Sequence, residues 1–246
     1  MLLQLVNPNS TAEMTEAIGR QARRIAGPGT RIVAVNPPDT PASIEGHADE
    51  ALAVPAMLAL IREGRRQGAA AHVIACFDDP GLDAAREEAA APVVGLCQAA
   101  VTVAATTARR FSVVTMMGRS VPIIEDLVDR YGAGRLCCRV RSVDMPVLTL
   151  EDAPDRAEAL LEAEIHAARI EDRAEAVVLG CAGMAELAQR LQMRCGVPVI
   201  DGVAAAVSLA QALAAGGFRT SKLGAYADPR PKRGRPTETP VAARLG

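Results

Sequence analysis

The sequence predicts an α/β fold built from two similar halves, each a parallel sheet with helices on its faces. Three observations predict it. Short apolar runs, roughly four to six residues each, recur along the chain with the composition of strands buried on both faces of a sheet. Ala-rich amphipathic stretches of helical length separate them, and that alternation gives parallel strands joined by right-handed crossovers. The third observation is an internal repeat, in which the segment from Ala71 to Ala104 is matched by the segment from Glu175 to Ala210.

Leu2–Val6 is the first strand, apolar except for Gln4. Helix Thr11–Ile25 follows, and Ser10-Thr11-Ala12-Glu13 fits a capping box at its start. Strand Arg31–Val35 leads to the long helix Asp49–Gln67. Strand His72–Ala75, helix Leu82–Ala90, strand Val93–Leu96 and helix Gln98–Thr107 complete the first half. Phe111–Thr115 opens the second half and echoes Leu2–Val6. Helix Val121–Tyr131, strand Val140–Val143, helix Pro154–Asp172 and strand Ala176–Leu179 keep the same order. Helix Met184–Arg194, strand Val197–Ile200 and helix Val203–Ala215 close it.

In the repeat, Cys76 aligns with Cys181, Pro92 with Pro198, and Arg31–Pro38 with Arg139–Pro146. The expected domains are therefore residues 1–103 together with 205–228, and residues 104–204. The helix at 203–215 is expected to pack back on the first half, mirroring Gln98–Thr107. Residues 229–246 are polar and rich in Pro and Arg, and are expected to form a mobile basic tail.

Composition narrows the function. The chain has 246 residues and a net charge of −2, so no global field draws it to nucleic acid or to a membrane. Aromatic residues are 2 % of the total, too few for the stacking platforms of single-strand binders. Both lysines, Lys222 and Lys232, lie near the C-terminus, which argues against a pyridoxal phosphate enzyme with its buried Schiff-base lysine. No apolar run reaches the roughly 18–20 residues of a membrane span. MLLQLV has no basic n-region before it, so a cytoplasmic protein is expected. With no secretion signal, the six cysteines are expected as thiols. No CxxC pair or histidine cluster suggests a metal, and no metal is expected.

Two cysteines stand apart. Cys76 and Cys181 each end a strand and open a glycine-containing turn into a helix. Ligands of open α/β folds gather beyond the carboxyl ends of the strands. Helix N-termini there favour anions and lower the pKa of a thiol. Two halves face to face would set these thiols on either side of one cleft. Acid–base groups on opposite faces of one carbon are what racemisation requires: one removes the proton and the other returns one. A free thiol titrates near ~8.5, closer to neutrality than a carboxylate at ~4, and suits a carbon acid beside a carbonyl. Turn amides can supply donors to the enolate oxygen. Cys97, Cys137, Cys138 and Cys195 carry no such pattern and read as small buried hydrophobes. A hydrolase nucleophile is the rival for Cys76 or Cys181, but it would want a positioned histidine, and none neighbours either in sequence. A non-catalytic two-domain binder gives no reason for a cysteine at both matched strand ends.

These motifs carry a family resemblance. NPNST (Asn7–Thr11), SIEG (Ser43–Gly46), CFDDPGL (Cys76–Leu82) and LGCAGM (Leu179–Met184) stand in an order and spacing, over about residues 1–225, that resemble the Asp/Glu/hydantoin racemase family, in particular its hydantoin and allantoin branch. The resemblance implies two pseudo-symmetric Rossmann-like domains with the site between them, no cofactor, and Cys76 and Cys181 as the acid–base pair. It also implies Asn9 beside the substrate, although asparagine there equally suits a turn or a helix cap. Thr115 and Met116 would line the opposite wall, and Ile44 would meet the ring substituent. The amides of Phe77, Ala182 and Gly183 would face a substrate oxygen. Asp79 and Glu45 read as caps before contacts.

The implied substrate is a small molecule, a 5-substituted hydantoin, with allantoin as the alternative. The apolar-then-acidic run after Cys76 suits a neutral ring better than a dicarboxylate. Amino-acid racemase, maleate isomerase and arylmalonate decarboxylase chemistry on the same architecture are further alternatives. A homo-oligomer is expected from the family. One signal competes: PKRGRP (Pro231–Pro236) resembles the core of an AT-hook, in which arginine enters a narrow minor groove. One short basic segment binds weakly, chiefly through phosphates, so a nucleic-acid partner ranks last.

Overall fold

The structure, a computed structural model, describes residues 1–230; PKRGRP and the rest of 231–246 lie outside the described residues. Strands β1 (Leu2–Val6), β2 (Arg31–Val35), β3 (Ala71–Ile74) and β4 (Val93–Gly95) form a parallel sheet in the order β2-β1-β3-β4. Strands β5 (Phe111–Thr115), β6 (Cys137–Ser142), β7 (Ala176–Leu179) and β8 (Val199–Asp201) form a second parallel sheet in the matching order β6-β5-β7-β8. The repeat in the sequence is thus a repeat of topology. In each sheet the connections change direction between the two central strands, so the switch points lie between β1 and β3 and between β5 and β7. Ligands of open α/β sheets bind at such points.

The helices are α1 (Ala12–Ile25), α2 (His47–Arg66), α3 (Leu82–Glu88), α4 (Leu96–Thr107), α5 (Val121–Arg130), α6 (Thr149–Asp152), α7 (Pro154–Ile170), α8 (Ala188–Cys195) and α9 (Gly202–Ala215). Helix α1 buries Met14, Ile18 and Ala22 at four-residue spacing, one stripe facing the sheet. Its first turn carries Glu13 and its last Arg23 and Arg24, the signs that suit the helix dipole. The capping box does not form. Thr11 is the N-cap without a side-chain cap bond, and its N–H goes instead to Asn9 Oδ1 at 3.0 Å. The box would need the Ser10 N–H for Glu13, and that N–H goes to the Pro41 carbonyl at 3.1 Å.

Helices α4 and α9 are apolar and pack against each other. Helix α9 reaches β1, β3 and β4 of the first sheet, while α4 reaches β7 and β8 of the second. Each half thus lends a helix to the sheet of the other. One apolar core results, running from Leu3, Leu5 and Val73 through Val101 and Val207 to Val113 and Val177. A smaller cluster, with Val6, Met57, Ile61 and Ile74, lies under α2. After α9, Lys222 Nζ donates to the carbonyl oxygens of Arg86 and Glu87 at the end of α3, fastening the segment to the first half. No helix among the described residues is long and apolar enough to cross a membrane.

The helix expected over Met184–Arg194 is in fact two pieces, a 3-10 stretch over Ala182–Leu187 followed by α8. The tighter winding starts directly after Cys181 and aims two successive N–H groups at its sulfur.

Candidate active site

The segments that leave β1, β3, β5 and β7 meet in a cleft. Cys76, Cys181, Asn9, Ile44, Phe77, Thr115, Met116 and Ala182 all line it. Gly183 does not. Its N–H points instead to Cys181 Sγ, so this expected donor to substrate is committed to the thiol.

Cys76 leaves β3 in a tight turn. Its sulfur accepts the N–H of Asp78. Asp79 then adopts a left-handed φ of 46° and Gly81 one of 63°. The Asp79 carboxylate accepts the N–H of Cys97 at 3.1 Å, the N–H of Gln98 at 3.0 Å and the hydroxyl of Tyr131 at 2.7 Å. It caps α4 and holds the turn, as its reading as a cap anticipates.

Cys181 is built the same way. Its sulfur accepts the N–H groups of Gly183 and Met184. Gly180 ahead of it is packed on β5: a Cβ there would lie 2.9 Å from Thr115 Cβ and 3.3 Å from Thr115 Cα. The Thr115 hydroxyl donates to the Gly180 carbonyl at 3.0 Å. Thr115 is therefore both a wall of the cleft and a brace for the cysteine loop.

Asn9 is buried, and its Oδ1 accepts from Asn7 Nδ2 at 2.8 Å as well as from Thr11. Its Nδ2 faces only the thioether of Met14 at 3.3 Å, a weak acceptor, so a good donor is offered to the cleft. Ile44 sits on the SIEG loop, which is clamped across the halves. Glu45 Oε1 accepts the N–H of Val147 at 3.2 Å and the hydroxyl of Ser43 at 3.1 Å.

The electrostatics correct one expectation. Strand-end placement was expected to favour the thiolates. Burial outweighs it: Cys76 is pushed well above the usual thiol range, and Cys181 up to about 11. The Asp78 carboxylate raises both further, while the backbone N–H groups on each sulfur work in the opposite direction. The remaining cysteines are free thiols, with Cys97 and Cys195 buried and Cys137 and Cys138 part-exposed.

Asp78 is the residue that the sequence reading passed over. It lines the cleft, and burial together with the charges of Glu50 and Asp79 lifts its carboxyl to about 7. The available signal was its place two residues beyond a strand-end cysteine. Met14, Ser120 and Val147 also line the cleft without having been expected. No Lys, Arg or His is among the lining residues. Among the described residues, no group of three or more His, Cys, Asp or Glu could hold a metal ion.

The family model described as Asp/Glu/Hydantoin racemase matches residues 3–210. The chain belongs to the Asp/Glu/hydantoin racemase family. Within it, the chain is 61 % identical to a hydantoin racemase of Rhizobium meliloti, over 94 % of this chain and 96 % of that protein. It is 45 % identical to a hydantoin racemase of Pseudomonas sp. (strain NS671), over 94 % of this chain and 93 % of the relative. Its fold matches the solved allantoin racemase from Klebsiella pneumoniae with a TM-score of 0.92 and 47 % identity, covering 94 % of this chain and 95 % of that one. The implied pair of pseudo-symmetric Rossmann-like halves is therefore the observed architecture of this racemase-family chain.

Proposed function

We propose that this chain is a cofactor-independent racemase of 5-substituted hydantoins, working by proton transfer between two cysteines. The observation that carries the reading is one cleft lined by the two repeat-matched thiols and by no cationic side chain. One thiolate takes the proton from C5. The other thiol delivers its proton to the opposite face of the same carbon. The protons balance: one sulfur gains what the substrate loses, and the other loses what the product gains. Asn9 Nδ2 and the N–H groups of Phe77 and Ala182, which take no part in the protein's own backbone hydrogen bonding, are placed to hold ring carbonyls as enolate charge develops.

A neutral ring fits this lining. A substrate with a carboxylate on the reacting carbon would meet Asp78 with no cation in the wall to offset it. That ranks amino-acid racemase, maleate isomerase and arylmalonate decarboxylase chemistry lower. Allantoin is the second reading, supported by the likeness to the allantoin racemase structure; the higher identity to a hydantoin racemase favours the first.

The test follows C5-proton exchange in D₂O, together with optical rotation, for both enantiomers of a 5-alkylhydantoin and of allantoin. Wild type should racemise one class, while Cys76→Ser and Cys181→Ser should each lose racemisation and keep at most exchange from a single enantiomer. Full racemisation by either variant would defeat the two-cysteine mechanism. No exchange with any ureide would defeat the substrate reading.

A further inference from the structure

We infer that Asp78 selects the substrate: its carboxyl accepts a hydrogen bond from an N–H of the ureide and turns away molecules that bring a carboxylate into the cleft. The inference rests on the ureide reading above and adds the residue that enforces it.

The two adjacent aspartates of the Cys76 turn have opposite fates. Asp79 is buried with three donors on its carboxylate. Asp78 is also buried, at 9 % exposed, yet no described residue donates a hydrogen bond to its carboxyl. Its backbone is held, because its own N–H is bonded to Cys76 Sγ. Its side chain lines the cleft. A largely buried carboxyl that lines a cleft and takes no donor from the protein is free to accept one from a ligand. The missing partner here is a donor.

The surroundings decide what kind of donor. Glu50 of α2 and Asp79 both act on Asp78 with negative charge. Glu50 itself keeps one buried oxygen, Oε1, without a hydrogen bond. The facing groups are the thiols of Cys76 and Cys181, each close enough to feel the Asp78 charge. With no cation in the lining, a substrate carboxylate gains no ion pair and meets like charge. A cyclic ureide brings N–H groups beside carbonyls and no charge. A carboxyl oxygen accepts from an N–H whether or not the acid is protonated.

The experiment compares kcat/KM for five substrates with wild type, Asp78→Asn and Asp78→Ala. They are a 5-alkylhydantoin, its two mono-N-methyl derivatives taken as a pair, and 5-carboxymethylhydantoin set against its neutral amide. A site built to bond an N–H rejects the analogue lacking it by large factors, so wild type should disfavour one N-methyl isomer by about 100-fold or more. Asparagine keeps an acceptor and drops the charge. Asp78→Asn should therefore keep the N-methyl penalty and improve the ratio for the carboxylate over its amide by about tenfold. Asp78→Ala should lose both preferences, leaving an N-methyl penalty below about tenfold. Ratios within one variant do not depend on how much of it folds. Wild-type ratios in both variants would overturn the inference while leaving the ureide reading intact. A wild type that racemises no ureide would overturn both together.

Discussion

Replacing Asp78 by asparagine should stabilise the protein at alkaline pH while harming its selectivity. Burial, with Glu50 and Asp79 nearby, lifts this carboxyl from an ordinary 3.8 to about 7. The folded state thus holds the proton more tightly than the unfolded chain. Stability from this group is fully present below about pH 3.8 and is lost as the pH rises through about 7. A carboxyl displaced that far forfeits about 4 kcal/mol across the window. Asparagine has no proton to give up and avoids the loss. Glu50 and Asp79 share the same field, so the full figure is a ceiling, and a gain of about 1–3 kcal/mol at pH 8 is expected. The assay is urea unfolding of both proteins at steps from pH 4 to 8.5. Their stabilities should be close at pH 4 and separate as the pH rises, the variant being the more stable. Parallel curves, or a variant less stable at pH 8, would refute the assignment of an ionised, unpartnered carboxyl in the wall of the cleft. A stability gain accompanied by lost selectivity is what a desolvated binding carboxyl gives.

The thiols make a second pH prediction. Both are raised by burial, so the thiolate fraction grows with alkalinity, and racemisation corrected for the uncatalysed rate should climb from pH 7 through 9. A flat profile over that range would contradict it. Asp79 should matter for stability rather than selectivity. Asp79→Ala removes three hydrogen bonds and the cap of α4, and should cost about 2–3 kcal/mol in urea unfolding without changing the N-methyl preference. A change in that preference as large as that of Asp78→Ala would merge roles that the structure separates.

Much of the architecture was legible because it depends on local pattern. Apolar runs such as Leu2–Val6, Phe111–Thr115 and Ala176–Leu179 became strands over the residues expected. Two copies of one pattern folded to one topology, and that placed Cys76 and Cys181 at equivalent strand ends. What misled were contests between neighbouring groups. Ser10-Thr11-Ala12-Glu13 has the form of a capping box, yet the Ser10 N–H goes to the Pro41 carbonyl and the helix starts one residue later, with Thr11 as its N-cap. The first turn after Cys181 winds more tightly than an α-helix, and its N–H groups turn to sulfur.

The α/β class, the repeated halves, the family and the pair of cysteines follow from the chain alone, because periodicity and motif spacing are properties of a chain read in order. The crossing of α9 to the first half was expected from the repeat, but that Glu45 fastens its loop to Val147 and that Gly183 serves Cys181 came only from the folded chain. Only the folded chain separates Asp78 from Asp79, two identical residues side by side. A left-handed turn at the second sends one carboxyl to the helix cap, while the other lines the cleft. The proton affinities of the thiols belong there too. Desolvation sums over atoms brought from distant parts of the chain, and it overrode the local helix-end effect that the sequence made visible.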